Sequence, residues 1–97
     1  MKISEVTAEY VINYLRIDGP TEVEQMEITG MMTAAKQYII HYTGLTEAEI
    51  DQYEDLTSAF LVLIAENFDN RNLQTDKPLY MNRYVQSVLS LHLRNLL

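Results

Sequence analysis

Ala59-Phe60-Leu61-Val62-Leu63-Ile64-Ala65 is a run of seven consecutive apolar residues with no polar face. A strand has this pattern, and so does a buried stretch of helix; periodicity alone does not separate them. The flanks decide. No Gly or Pro falls between Asp55 and Arg71, both ends of the run are Ala, and the pattern continues into Glu66-Asn67-Phe68. Phe60, Ile64 and Phe68 then recur every fourth residue on one face. The reading is one helix, about Leu56–Asn70, capped by Asp55 and apolar nearly all round at its middle. Such a helix packs on several sides and is the central one. The run is far short of the ~20 apolar residues needed to cross a bilayer.

Outward from this run, caps divide the chain. Thr46-Glu47-Ala48-Glu49 has the pattern of a capping box, in which the Thr hydroxyl accepts from a backbone N–H and the second Glu reaches back. It opens a short helix, about Glu47–Tyr53. Thr21-Glu22-Val23-Glu24 repeats the pattern and opens a long helix, about Glu22–Tyr42, which Gly44 stops. Val23, Met26, Met31, Ala34, Ala35, Tyr38, Ile39 and Tyr42 are its expected apolar stripe. Gly30 lies within that stripe; an interior Gly costs about 1 kcal/mol against Ala, so close packing of another helix is expected there. Thr7 caps a first helix, about Ala8–Leu15, which Gly19-Pro20 separates from the second. Met1–Val6 is expected as an extended arm. On the other side, Asn70–Pro78 is expected as a loop, and a last helix runs about Met81–Leu96. Met81, Val85, Val88, Leu89, His92 and Leu96 form one face of it, and Leu91, Leu93 and Leu97 widen that face beyond a single stripe. Part of this helix is therefore expected to meet another subunit. The fold expected is all-α, one domain over residues 1–97, with four main helices and one short helical turn.

Composition narrows the function. The chain has 97 residues and a net charge of −7, with seven Lys and Arg in all. Phosphate neutralisation needs clustered cations, so direct nucleic-acid binding is disfavoured. There is no cysteine, hence no disulfide and no thiolate metal site. The first residues lack the apolar region of a signal peptide, and synthesis in the cytoplasm is expected. His41 and His92 have no second ligand at metal spacing, and no Ser/His/Asp order or Gly-rich phosphate loop is present. Glu47, Glu49, Asp51, Glu54 and Asp55 form an acidic run; paired acid–base catalysis needs two carboxylates across a cleft, and the run reads first as a solvated face, second as a docking patch for a basic partner. No catalytic residue, cofactor or metal is expected. Seven tyrosines include three pairs four residues apart, Tyr10/Tyr14, Tyr38/Tyr42 and Tyr80/Tyr84. Such pairs are neighbours on a helix surface and suit either core-edge packing or a half-buried interface.

Three stretches carry a resemblance: Val6-Thr7-Ala8-Glu9 with Tyr14-Leu15-Arg16-Ile17-Asp18, then Ala34-Ala35-Lys36-Gln37-Tyr38-Ile39 with Tyr42-Thr43-Gly44, then Phe68-Asp69-Asn70-Arg71. In this order the chain resembles the head–tail connector proteins of tailed bacteriophages and prophages, over about Val6 to Leu91. The resemblance implies a protein without catalysis that forms a ring between the portal and the tail or stopper protein, at the head–tail junction of the virion, with DNA passing through its channel. Arg16, Asp18, Asn70 and Arg71 match recurrent positions of that family, as subunit contacts or as intrachain caps. After Arg71 the chain departs from the family pattern, since Asp76-Lys77-Pro78-Leu79-Tyr80-Met81-Asn82 leads straight into a helical C-terminus. The expected interface with other subunits or partners is Tyr80, Tyr84, Leu91, Leu93 and Leu97. The rival expectation is a generic helical interaction module, a regulatory or antitoxin-like dimer.

Overall fold

The computed structural model describes residues 1–69 and 82–93. Among them lie a 3-10 turn, Ile3–Glu5, and five helices: α1 Ala8–Tyr14, α2 Glu22–Thr43, α3 Glu47–Ile50, α4 Glu54–Asp69 and α5 Arg83–Leu91. The all-α expectation holds, with four helices of seven or more residues and one single-turn helix. The expected loop Asn70–Pro78 lies outside the described residues.

The central position of α4 follows from its sequence. Leu56, Ala59, Phe60, Leu61, Leu63, Ile64 and Phe68 are all buried, more than one helical face can supply. α4 packs against α2, α5 and the N-terminal turn, and α2 also holds α1 and α5. Each fully buried Leu, Ile or Phe contributes about 1.5–3 kcal/mol relative to exposure. Two buried polar residues of α4 keep their hydrogen bonds inside the helix pack: Thr57 Oγ1 donates to the Met1 carbonyl at 2.7 Å and Asn67 Nδ2 to the Leu63 carbonyl at 2.7 Å. The helix begins at Glu54, two residues before the expected start.

Both capping boxes form. Thr21 accepts from Glu24 N–H at 3.1 Å while Glu24 accepts from Thr21 N–H at 3.0 Å; Thr46 and Glu49 do the same at 3.2 and 2.9 Å. Gly44 stops α2 in the left-handed region, φ 75°, where a side chain would be strained, and its N–H reaches the Ile40 carbonyl. Thr43 is buried beside it without penalty: its hydroxyl donates to the Ile39 carbonyl at 2.7 Å and accepts from Leu45 N–H at 3.2 Å.

Five expectations are corrected. Met1–Val6 is not an extended arm; Ile3 and Val6 are core residues, because the 3-10 turn folds them onto α4. The buried stripe of α2 is Ile28, Ala35, Ile39 and Thr43, flanked by the partly buried Met31 and Met32. Met26 is nine residues from Ala35, about 180° round a helix of 3.6 residues per turn, and it is 73% exposed, with Val23 at 65% and Ala34 also exposed. Gly30 is exposed too, and a Cβ there would meet nothing within 4 Å, so none of the described helices packs on it. Finally, α3 ends at Ile50 and not at Tyr53, and α5 is shorter than expected at both ends. Its start is fixed by Asn82, whose Oδ1 accepts from Val85 N–H at 2.8 Å and whose Nδ2 donates to Glu66 of α4 at 3.3 Å. Its end comes at Leu91 because His92 leaves the helical region.

Candidate functional site

The acidic run is solvated, and its carboxylates also make contacts with other segments. Glu49 closes a capping box. Asp51 Oδ1 accepts from Ser4 N–H at 3.1 Å; a hydrogen bond from the Ser4 side chain first, opposed by partial desolvation and helped by this backbone hydrogen bond, Lys36 and Lys2, holds its carboxyl below the usual range. Glu47 pairs with Lys36 of α2, and Glu54 meets the N-terminal ammonium at 3.4 Å. Asp55 does not cap α4. It lies inside the first turn, and its Oδ2 is 2.7 Å from His92 Nε2. The His92 ring also packs on Tyr53, with centroids 4.4 Å apart. Each carboxylate in the run thus ties α3 or the start of α4 to another segment or to its own cap. The face nevertheless stays solvated, as expected: Glu47, Glu54 and Asp55 are exposed, and none of the five carboxylates is buried. No local pattern announces these contacts, because Ser4, Lys36 and His92 are remote from the run.

Arg16 is the one non-glycine residue described at positive φ, 59°. The reason is the end of α1. Arg16 N–H bonds the Asn13 carbonyl at 3.1 Å and Ile17 N–H bonds the Ile12 carbonyl at 3.2 Å, the pattern of a Schellman cap with Arg16 in the place that glycine usually takes. The left-handed conformation costs a non-glycine residue about 1–2 kcal/mol. Asp18 follows, exposed, in the bend before Gly19. Asn70 and Arg71 lie outside the described residues, as do Tyr80 and Leu97 of the expected interface.

The remaining expected interface residues are open. Leu91 is 79% and Leu93 58% exposed. Tyr84 is exposed on α5 and its hydroxyl pairs with Ser58 Oγ of α4 at 2.9 Å. That pairing leads to a feature that sequence spacing did not assemble. Tyr10 and Tyr14 of α1, both exposed, line a groove of about 240 Å³ with Met1, Glu54, Thr57, Ser58 and Leu61. Tyr10 and Tyr14 were legible as a pair, but their facing α4 residues were not. The other described pair behaves differently: Tyr38 and Tyr42 stack on each other with centroids 6.3 Å apart, and the Tyr42 hydroxyl pairs with Ser90 of α5 at 3.2 Å. Burial first, and the neighbouring Tyr42 second, raise the Tyr38 phenol above its ordinary value.

Tyrosine at a groove offers apolar ring area at low conformational cost together with a hydroxyl for a partner's polar group. The groove therefore suits contact with another polypeptide. Among the described residues no group of three or more His, Asp or Glu is placed to hold a metal ion, and no helix is long and apolar enough to cross a membrane. Comparison with protein-family models, with curated proteins and with solved structures gave no significant match.

Proposed function

We propose that this chain is a non-enzymatic structural adaptor of a tailed phage or prophage, forming a ring between the portal and the tail or stopper protein at the head–tail junction. The sequence resemblance supports the class. The observation that carries the reading further is the amount of aromatic and aliphatic surface left open on so small a chain: Tyr10, Tyr14, Tyr84, Leu91 and Leu93 are all exposed. Exposed aromatic and Leu side chains are enriched at protein contact surfaces. Two of the motif stretches shape the elements that present them: Leu15-Arg16-Ile17 caps α1, and Tyr38 to Gly44 ends α2 against α5.

The test is light scattering at high protein concentration, with negative-stain imaging of any large species, repeated with a portal ring added. Closed rings with a central hole, or a stoichiometric layer on the portal, are expected. A discrete dimer indifferent to the portal overturns the reading and favours a generic helical module. Leu93→Glu tests the surface: it leaves the far-ultraviolet circular dichroism unchanged and abolishes self-association or portal binding. If it unfolds the chain instead, Leu93 belongs to the core and not to an interface.

A further inference from the structure

Two depressions on this surface each hold a carboxylate, and they are built differently. The one at the start of α2 is lined by Glu22, Gln25, Met26 and Thr29, all from a single helix and none of them aromatic. The tyrosine groove has two walls. Tyr10 and Tyr14, one turn apart on α1, belong to the first; the second comes from α4, where Glu54, Ser58 and Leu61 recur at helical spacing. The α4 wall is therefore graded: apolar at Leu61, hydroxylic at Thr57 and Ser58, anionic at Glu54. No lysine or arginine is among its described lining residues. The N-terminal ammonium lies 3.4 Å from Glu54 Oε1, but the Glu54 side chain is 90% exposed, so water loosens the pair. Glu54 Oε2 and the Tyr10 and Tyr14 hydroxyls have no partner among the described residues. The groove holds about 240 Å³, below the ~300–1,000 Å³ of small-molecule sites, which suits one long side chain and not a cofactor.

We propose that the tyrosine groove captures an arginine side chain presented by a basic segment of a different protein. Arginine meets each part of the gradient. Its stem covers apolar surface while its head reaches polar ground. Its planar guanidinium stacks on phenol faces, and its fork of N–H donors matches a carboxylate with hydroxyl oxygens beside it. Ser58 pairs with Tyr84 at 2.9 Å, yet a hydroxyl oxygen carries two lone pairs, so one stays able to accept. Lysine has the charge without the plane or the fork. A second copy is the poorer occupant, because it brings a net charge of −7 against another of the same sign, whereas a basic segment is drawn in by that field. The inference does not depend on the ring reading, since it names the side chain taken and not the assembly that carries it.

The test is a proton–nitrogen NMR titration of the chain with a blocked pentapeptide, arginine flanked by glycines, and with the same peptide carrying lysine or citrulline instead. The arginine peptide is expected to give saturable shifts, in the millimolar range, at Tyr10, Tyr14, Ser58 and Leu61. Citrulline keeps the shape and loses the charge, and is expected to bind at least about tenfold more weakly. Lysine is expected to fall between the two. Glu54→Gln is expected to cost the arginine peptide about tenfold, and Tyr14→Ala about threefold or more, each with unchanged far-ultraviolet circular dichroism. Glu22→Gln removes an exposed carboxylate of the other depression and is expected to leave binding unchanged. Equal binding of the citrulline peptide, shifts centred on the start of α2, an equal loss in Glu22→Gln, or no saturable response overturns the proposal. Should Glu54→Gln alter the fold, arginine against citrulline on the wild-type chain still decides it. Rings of a chain that captures no arginine overturn this inference alone. Capture by a discrete dimer indifferent to the portal supports it and overturns the adaptor reading alone.

Discussion

Tyr10/Tyr14 and Tyr38/Tyr42 share one sequence pattern, two phenol rings four residues apart on a helix, and meet different ends. The second pair is half-buried on α2, stacked ring on ring, and latched to α5 through Ser90. The first faces outward over α4 with both hydroxyls unpaired among the described residues. Spacing decided only that each pair shares a face. What covers that face was decided by elements far along the chain. The difference teaches that a tyrosine pair is a neutral device, and that the neighbouring helix makes it structural or leaves it available.

The comparison can be broken at four points. The largest effect belongs to the central helix: Phe60→Ala removes a nearly fully buried ring of α4 and is expected to cost about 3–5 kcal/mol in urea unfolding. A loss below 1 kcal/mol would mean that α4 is not the central support. Next, Tyr42→Ala is expected to cost about 1–3 kcal/mol through lost burial and stacking, whereas Tyr14→Ala stays within about 1 kcal/mol while weakening capture of the arginine peptide. Equal stability losses would erase the distinction between the pairs. Third, Arg16→Gly places the residue preferred in the left-handed region at the end of α1 and is expected to raise stability by about 0.5–1 kcal/mol, relief of strain less the added freedom of the unfolded chain. A loss of stability would show that the Arg16 side chain holds α1 in place. The smallest effect is at high pH. The folded Tyr38 phenol ionises above the unfolded value of 10.0, so its contribution to stability is complete below that value and fades as pH rises through the folded one. Ultraviolet titration should show one late-ionising phenol, absent in Tyr38→Phe.

Most helix starts were legible because their signals are local. Thr7, Thr21 and Thr46 cap as their neighbours imply, Gly44 stops α2, and the run from Ala59 to Ala65 places α4 at the centre. The phase of α2 was misread because apolar identity was taken for burial. Val23 and Met26 are apolar, yet they point away from Ile28, Ala35 and Ile39, and buried Thr43 looked polar until its hydroxyl found the Ile39 carbonyl. The acidic run is solvated as its composition implies, but its contacts were not legible. Its partners Ser4, Lys36 and His92 are remote in sequence, and no local pattern announces a pairing across such separations. The groove shares this limit: half of it was visible as a tyrosine pair, and its other wall comes from Thr57, Ser58 and Leu61 of α4, which no local pattern sets against that pair.

The N-terminal turn reaches α4 through contacts closed over very long loops. The Met1 carbonyl accepts from Thr57, and Ser4 N–H reaches Asp51. Closing a loop of that length costs entropy that local helices never meet, so this segment can lock only once α2 and α4 have already found each other. It is then the last piece to settle during folding and the first to peel away under mild denaturant, and the exchange rate of the Ser4 amide becomes a gauge of how often the chain starts to come apart.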